Sequence, residues 1–348
     1  MSAQVVVGVD IGDDSVRAVE VTGLGKPRPT VERYREISLP EGAVKDGEVA
    51  EVNTVAAALR QLWSAGGFRS KKVVLGVGNT KVLVRDLTVP RLTQKEIRQS
   101  LPSYVQDMLP VPVADALLDF YPISESAGDT GPVVHGLLVA AIKDAVKANV
   151  SAVQLAGLSP VAVDLIPFAL SRLHARDREK GTLAFIDVGA RTSHVVVAVN
   201  GVPQFVRIMG AGGHNLTAAL KDRLEITQEQ AIALKSSLGL ITSMVAPEQR
   251  DAVEIIHEVT GELLSTLRNT LNYFVNTHPS LHFDEIVLSG GGTRLPGFRE
   301  ALAEITRVPV ASADPFNSIE LSRDLTKQGP TQANSMAVAL GLALGRVA

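Results

Sequence analysis

Two short stretches carry residue types that could handle phosphate. Residues 5–21 read VVVGVDIGDDSVRAVEV: an apolar strand, Asp10, one apolar residue, Gly12, a polar turn and an alternating strand. Residues 183–199, LAFIDVGARTSHVVVAV, repeat that order around Asp187 and Gly189. A strand running into Asp-x-Gly and a tight polar turn gathers backbone N–H groups that can meet an anion. One such turn marks only a hairpin. Two, at equivalent points, predict two related halves that present their turns to a shared cleft. A third turn lies in residues 286–300, IVLSGGGTRLPGFRE. There Gly290, Gly291 and Gly292 remove every Cβ where a flat ligand could lie against the backbone. Pro296 suits a first helical turn, and Phe298, Ala301, Leu302 and Ile305 follow at helical spacing.

Asp13 and Asp14 are out of place in a phosphate turn, because each brings negative charge toward the ligand. Pointing to solvent, they change little; pointing inward, they add a magnesium contact or repel nucleotide. No Ser-His-Asp set, metal cluster or positioned general base stands out, and His194 reads as facing one side of a strand. Hydrolysis is therefore expected to be slow or absent.

These turns need elements to hold them. Strand-like runs such as VVVGVD, KVVLGVG, TLAFIDVG and EIVLSGGG alternate with helical patterns, which predicts an α/β fold with parallel or mixed sheets. Gly212-Gly213 precede a helix carrying Leu216, Ala219 and Leu220. Thr227 and Gln230 make a capping box for the next helix, ending near Lys235. A long helix is expected from Pro247 to Val275, with Val253, Ile256, Thr260, Leu263, Leu267, Leu271 and Phe274 as its apolar stripe. Residues 87–163 read as an insertion. Thr93 and Glu96 cap a helix striped by Ile97, Leu101, Val105 and Met108, and the strands ALLDFYPI and VVHGLLVAAI follow. This small α+β module offers no catalytic group and reads as an interaction surface.

The bulk numbers are those of a globular chain of about two domains: 348 residues, 45% hydrophobic, 20% charged. A net charge of −3 gives no reason to expect a nucleic-acid partner. The absence of cysteine excludes disulfides, thiolate metal sites and a thiol nucleophile, and fits a cytoplasmic protein. The segment MSAQVVVGVDIG lacks the features of a signal peptide, and no apolar stretch suits a membrane span. NSMAVALGLALG is expected to be a buried helix.

The order of phosphate turn, insertion, second phosphate turn, Gly-Gly helix and GGGT turn resembles the actin-like superfamily over nearly the whole chain. Within it the chain is most similar to the PilM family of type IV pilus assembly proteins. DIGDDSVRAVEV, FIDVGARTSHVVVAVNG, IVLSGGGTRLPGF and GLSPVAVDLIPFAL carry the likeness. LPSYVQDMLPVPVADALLDFYPI resembles the inserted subdomain that PilM shares with the cell-division protein FtsA. The resemblance implies an α/β, actin-like fold of duplicated ribonuclease H-like halves around a nucleotide cleft, with an inserted FtsA-type small α+β (SHS2) subdomain. It divides the chain into a first half (1–86 and 164–182, with the helix 332–348 packing back), the insertion (87–163) and a second half (183–331).

It also implies ATP or ADP with Mg2+ in the cleft. Asp10, Gly12, Asp13, Ser15 and Arg17 fall in the first phosphate motif, and Arg17 stands where a basic residue, usually lysine, reaches phosphate. Asp187, Gly189, Arg191 and Thr192 fall in the second. Gly212 and Gly213 match the turn toward the sugar, Lys235 the basic residue near adenine, and Gly290, Gly291, Gly292 and Leu295 the adenosine motif. Asp10 and Asp187 would hold Mg2+ through water. Ile232 departs from the glutamate common at the ribose, with Glu229 one turn earlier as a substitute. The implied partners are the N-terminal cytoplasmic tail of PilN and other inner-membrane pilus proteins, with self-association possible. The implied place is cytoplasmic, peripheral to the membrane and without direct insertion. An FtsA-like division protein is the alternative. Such proteins end in a basic amphipathic membrane helix, and LALGRVA has one arginine and no such pattern. A slow actin-fold ATPase of another pathway is a further alternative.

Overall fold

The computed structural model describes residues 5–129, 131–176, 180–240, 246–327 and 333–345. In chain order the first part comprises β1 (Val7–Ile11), β2 (Ser15–Thr22), β3 (Thr30–Ser38), the short β4 (Val44–Lys45) and β5 (Glu48–Val49), α1 (Val52–Gly66) and β6 (Lys72–Val77). Next come β7 (Val82–Pro90), α2 (Gln94–Tyr104), β8 (Ala116–Gly128), β9 (Gly131–Ile142), α3 (Lys143–Leu155), β10 (Ser159–Leu165) and α4 (Ile166–His174). The second part holds β11 (Thr182–Val188), β12 (Ser193–Val199), β13 (Val202–Met209), α5 (Gly213–Leu224), α6 (Gln228–Leu238), α7 (Arg250–Thr277), β14 (Glu285–Ser289), α8 (Phe298–Thr306) and β15 (Val310–Ser312). β16 (Glu320–Leu321), α9 (Arg323–Thr326) and α10 (Ala333–Ala343) close the chain.

The first sheet runs β10-β6-β1-β2-β3-β16 and the second β13-β12-β11-β14-β15. Each has the same kernel: an antiparallel hairpin, β1–β2 or β11–β12, whose first strand also pairs in parallel with a neighbour, β6 or β14. β1 and β11 are buried along their full length, as expected of unbroken Val- and Ile-rich strands covered on both faces. One face of the first sheet is covered by α1, through Val55, Leu59 and Leu62. α10 covers the other and lies so close that a Cβ on Gly8 would run into the Ala339 carbonyl. The expected buried helix is therefore present; the segment 332–348 is described only from Ala333 to Gly345. In the second half α7 buries Ile256, Leu264, Leu267, Leu271 and Phe274 against the sheet. Of its expected stripe, Val253 and Leu263 are half-buried, and Ala252 and Leu264 beside them are buried instead.

The insertion forms its own antiparallel sheet, β7-β9-β8, with α2 laid on it through Ile97 and Leu101. Thr93 and Glu96 form the expected capping box. The bounds 87–163 cut across this arrangement. β7 begins at Val82, whereas α3 packs on α1 and β10 pairs in parallel with β6 in the first sheet. The cause is chain continuity: the last inserted strand must return to the sheet it left, and β10 is that return. α8 begins at Phe298, with Gly297 (φ 85°) as its N-cap, so Pro296 precedes the helix rather than opening it.

Candidate functional site

The two hairpins face each other across a cleft of about 530 Å3. Each turn closes the same way. The Gly12 N–H donates to the Ser15 carbonyl at 3.0 Å, and the Gly189 N–H to the Thr192 carbonyl at 2.9 Å. Asp10, Gly12, Asp13 and Arg17 line the cleft from one side and Asp187, Gly189 and Thr192 from the other. Gly213, Lys235 and Gly290, Gly291 and Gly292 line it as well.

Other expected residues sit just outside. The Ser15 hydroxyl turns from the cleft and donates to Glu36 Oε1 at 2.7 Å, because Ser15 opens β2 and its side chain follows the strand toward β3. Arg191 reaches the mouth, where a second cavity of about 420 Å3 joins the cleft at Asp13, Asp14 and His214. Gly212 and Leu295 border a side cavity of about 170 Å3 behind Gly213 and Gly292. The triple glycine also differs from expectation. A Cβ at Gly290 (φ 87°) would strike the Val188 carbonyl and one at Gly292 the Val188 side chain, so both serve close approach to β11. Only at Gly291 is the Cβ position open.

Charge at the hairpins is already paired. Arg17 lies between Asp10 Oδ2 at 3.1 Å and Glu36 Oε1 at 2.9 Å. Burial works against its charge, but those two carboxylates outweigh burial and hold the guanidinium pKa above its usual value. Glu36 also accepts from the Tyr34 hydroxyl at 2.9 Å. Burial raises its pKa, and Arg17, Ser15 and Tyr34 together bring it below the ordinary carboxyl value. Asp10 is pushed up by burial, with Asp187 across the cleft adding to the rise against Arg17. Asp187 feels the same burial but ends below its ordinary value through His194 and a 2.8 Å hydrogen bond from Ser289.

The two odd aspartates cross the gap. Asp14 Oδ2 lies 3.0 Å from His214 Nε2, and Asp13 Oδ1 lies 3.7 Å from Arg191 Nε. The His214 hydrogen bond lowers the Asp14 pKa; burial raises that of Asp13. Both line the cleft, as the inward alternative has it, and both are first-half carboxylates that meet second-half cations.

Lys235 donates to the Gly213 carbonyl at 2.7 Å, and burial lowers its pKa. Ile232 lines the cleft and is 48% exposed. Glu229 is solvent-exposed, its carboxyl held by the first turn of α6 and by Thr227, and is no substitute at the cleft wall. Among the described residues no group of three or more His, Asp or Glu is arranged to hold a metal ion. A largely hydrated Mg2+ touching Asp10 and Asp187 through water is compatible with that donor set.

The family profile of "Type IV pilus assembly protein PilM" matches residues 8–347. The chain belongs to the PilM family. A solved structure of a PilM–PilN type IV pilus biogenesis complex is similar over 97% of this chain and 97% of that one, at 27% identity and a TM-score of 0.84. FtsA of Bacillus subtilis is 22% identical over 355 aligned positions, covering 90% of this chain and 76% of its own. MreB5 of Spiroplasma citri, solved bound to AMPPNP, shares 12% identity and a TM-score of 0.51 over 91% of this chain and 93% of that one. These likenesses establish the actin-like fold. Among the described residues no helix is long and apolar enough to cross a membrane.

On this PilM-family scaffold, sequence reasoning missed Glu36 and His214 and read His194 only as facing one side of a strand. His194 is buried; its Nε2 donates to the Gly78 carbonyl of the first half at 2.7 Å, and its Nδ1 lies 3.6 Å from Asp187. A polar ring in an otherwise Val-rich strand beside Asp187 was the available signal. Glu36 lies in β3, away from every motif, and only the pairing of β3 with β2 brings it to Arg17.

Proposed function

We propose that this chain is a cytoplasmic, actin-like scaffold of type IV pilus assembly that captures the N-terminal tail of a PilN-type inner-membrane protein. Its cleft would take an adenine nucleotide with Mg2+ and hydrolyse it slowly or not at all. The likeness to the PilM–PilN complex over 97% of both chains carries the reading.

The sheet topology supports a place for the tail. β10 is the edge of the first sheet and β8 an edge of the inserted sheet. Val161 and Val163 on β10 are 37% and 41% exposed, and Leu117 on β8 is 44% exposed. Tyr121 of β8 packs at a tilt against Phe168 of α4, ring centroids 4.9 Å apart, which sets the inserted sheet against the first half. A short extended peptide can pair with a free strand edge and seat apolar anchors on alternate side chains. The membrane attachment would then come from the partner.

In the cleft, Mg2+ would neutralise phosphate charge, held through water by Asp10 and Asp187. Adenosine would lie toward Gly291, Gly213 and Lys235, and the phosphates toward the hairpins. Calorimetry with a PilN-type tail peptide tests the scaffold reading: saturable binding at one site supports it, and no heat with a folded protein overturns it. Asp187→Asn should weaken Mg2+-dependent nucleotide binding without weakening tail capture in the absence of nucleotide.

A further inference from the structure

One end of the first half carries unbalanced charge. Residues 60–72, RQLWSAGGFRSKK, hold four cations and no carboxylate in a chain whose net charge is −3. They run from the last turns of α1, through its left-handed C-cap at Gly67 (φ 62°), to the start of β6. Arg60 is accounted for, because its Nη1 donates to the Leu155 carbonyl at the end of α3 at 2.9 Å. Arg69, Lys71 and Lys72 are exposed, and among the described residues none of their side chains meets a carboxylate. Two carboxylates lie behind them and are already engaged. Glu20 is buried, pairs with Arg33 and accepts the Arg69 N–H at 2.7 Å; Glu32 accepts from Thr22 Oγ1 at 2.8 Å. The dipole of α1 does not explain the cluster. Lys71 and Lys72 come after the helix has ended at Gly66, and that attraction fades within the last turn.

The same end presents apolar groups. Trp63 and Phe68 are half-buried, their ring centroids 4.8 Å apart. Trp63 Nε1 donates to the Ser70 carbonyl at 3.0 Å, which fixes the indole beside the basic run. Leu155 is 50% exposed. An indole with its polar edge satisfied, an exposed leucine and lysines on long apolar stems are residue types that suit a lipid headgroup boundary. The position in the fold fits as well. Ser159 opens β10, the edge strand assigned above to the tail, and its N–H donates to the Lys71 carbonyl at 2.8 Å. The basic end is therefore continuous with the strand edge that would hold a membrane-anchored peptide.

We propose that Arg69, Lys71 and Lys72, with Trp63 beside them, form a face that rests on anionic lipid headgroups while the tail is held on β10. This is a surface contact without insertion. The inference rests on the tail-capture reading above and adds a second partner, the lipid surface itself. Each Lys or Arg at an anionic surface strengthens binding about fivefold, and salt screens the effect. Three cations alone bind a membrane only marginally. Added to a captured tail, they multiply its affinity, because the second contact is then made within one complex.

The test is sedimentation of the full chain with vesicles of neutral phosphatidylcholine, or of that lipid mixed with anionic phosphatidylglycerol, each with or without a lipid-anchored tail peptide. Tail-bearing anionic vesicles should bind about tenfold or more tighter than tail-bearing neutral ones, and high salt should remove the gain. Trp63 is the sole tryptophan of the chain, so its fluorescence reports on this face alone. Spin-labelled headgroups in the anionic vesicles should quench it. Arg69→Gln, Lys71→Gln and Lys72→Gln together should abolish the gain and leave the affinity for the tail peptide in solution within about twofold of the parent. Lys71→Gln with Lys72→Gln, which spares Arg69 and its contact with Glu20, serves as the second variant and should remove most of the gain. Equal affinities for neutral and anionic tail-bearing vesicles would overturn the lipid contact and leave the basic end to an acidic polypeptide. Unquenched Trp63 on bound anionic vesicles, or a gain that survives in the triple variant, would overturn it as well. If the tail is captured neither on vesicles nor in solution, the scaffold reading fails by itself. The lipid contact is then decided on tail-free anionic vesicles at low salt, where the parent should sediment and the triple variant should not; a parent that stays in solution there overturns it.

Discussion

Replacing Val161 and Val163 together by threonine tests where the tail docks. The two lie two residues apart on an edge strand and are 37% and 41% exposed, Val161 being the residue left unpaired where the register with β6 shifts between Pro160 and Ala162. Fully burying a valine side chain is worth ~1.5–3 kcal/mol, so covering the remaining four-tenths contributes ~0.6–1.2 kcal/mol each. Threonine keeps the branched shape and strand preference but places a hydroxyl where the peptide would seal a methyl. The pair should then lose ~1–2.5 kcal/mol of binding, about 5- to 70-fold in affinity. Stability should fall as well, by ~1–2 kcal/mol, since about six-tenths of each side chain is already covered in the folded chain. Calorimetry with the tail peptide, beside a thermal melt, separates the two effects. An affinity within about twofold of the parent, with the variant still folded at the assay temperature, would refute docking on β10.

Thr93→Ala removes the side-chain half of the α2 capping box, the bond from the Glu96 N–H to Thr93 Oγ1, and should cost about 1 kcal/mol of stability, read by urea denaturation. Gly290→Ala places a side chain at φ 87° against the Val188 carbonyl and should destabilise the second half by at least ~2 kcal/mol, visible as a lower melting temperature. The Asp14 pKa is lowered in the folded chain by His214, so the stability it adds is present above its unfolded value near ~4 and is lost as pH falls through the folded value. Asp14→Asn should therefore flatten that part of the acid limb in a stability–pH series, by a small amount because the side chain is 57% exposed and solvent screens the pair.

Much of this fold was legible because it rests on local, periodic signals. The hairpins at Asp10 and Asp187 follow from strand, Asp-x-Gly and alternation, and both capping boxes follow from side-chain spacing. The insertion's bounds were not legible. β10 looks like any short strand, and nothing local shows that it pairs with β6 rather than with the inserted sheet. The site divides in the same way. Motif residues came together where backbone geometry alone placed them, as at Gly12, Gly189 and Gly213. Side chains whose direction depends on a strand partner went astray: Ser15 turned to Glu36, and Asp13 and Asp14 reached Arg191 and His214 on the other half. Those pairings join residues far apart in the chain, and no spacing rule encodes them.

A deletion of residues 82–142 would not leave two intact halves. β7 packs on β13, and Val82 and Leu137 share a core with Leu183, Phe185 and Val206 of the second half, while Tyr121 leans on α4 of the first. The inserted sheet is thus braced at two points, like a strut spanning a joint. A membrane-anchored tail tugging on this region would not swing a free flap. Traction there would be delivered to both halves together, as shear along the Val82–Phe185 packing, and the joint would stiffen or slip as one piece.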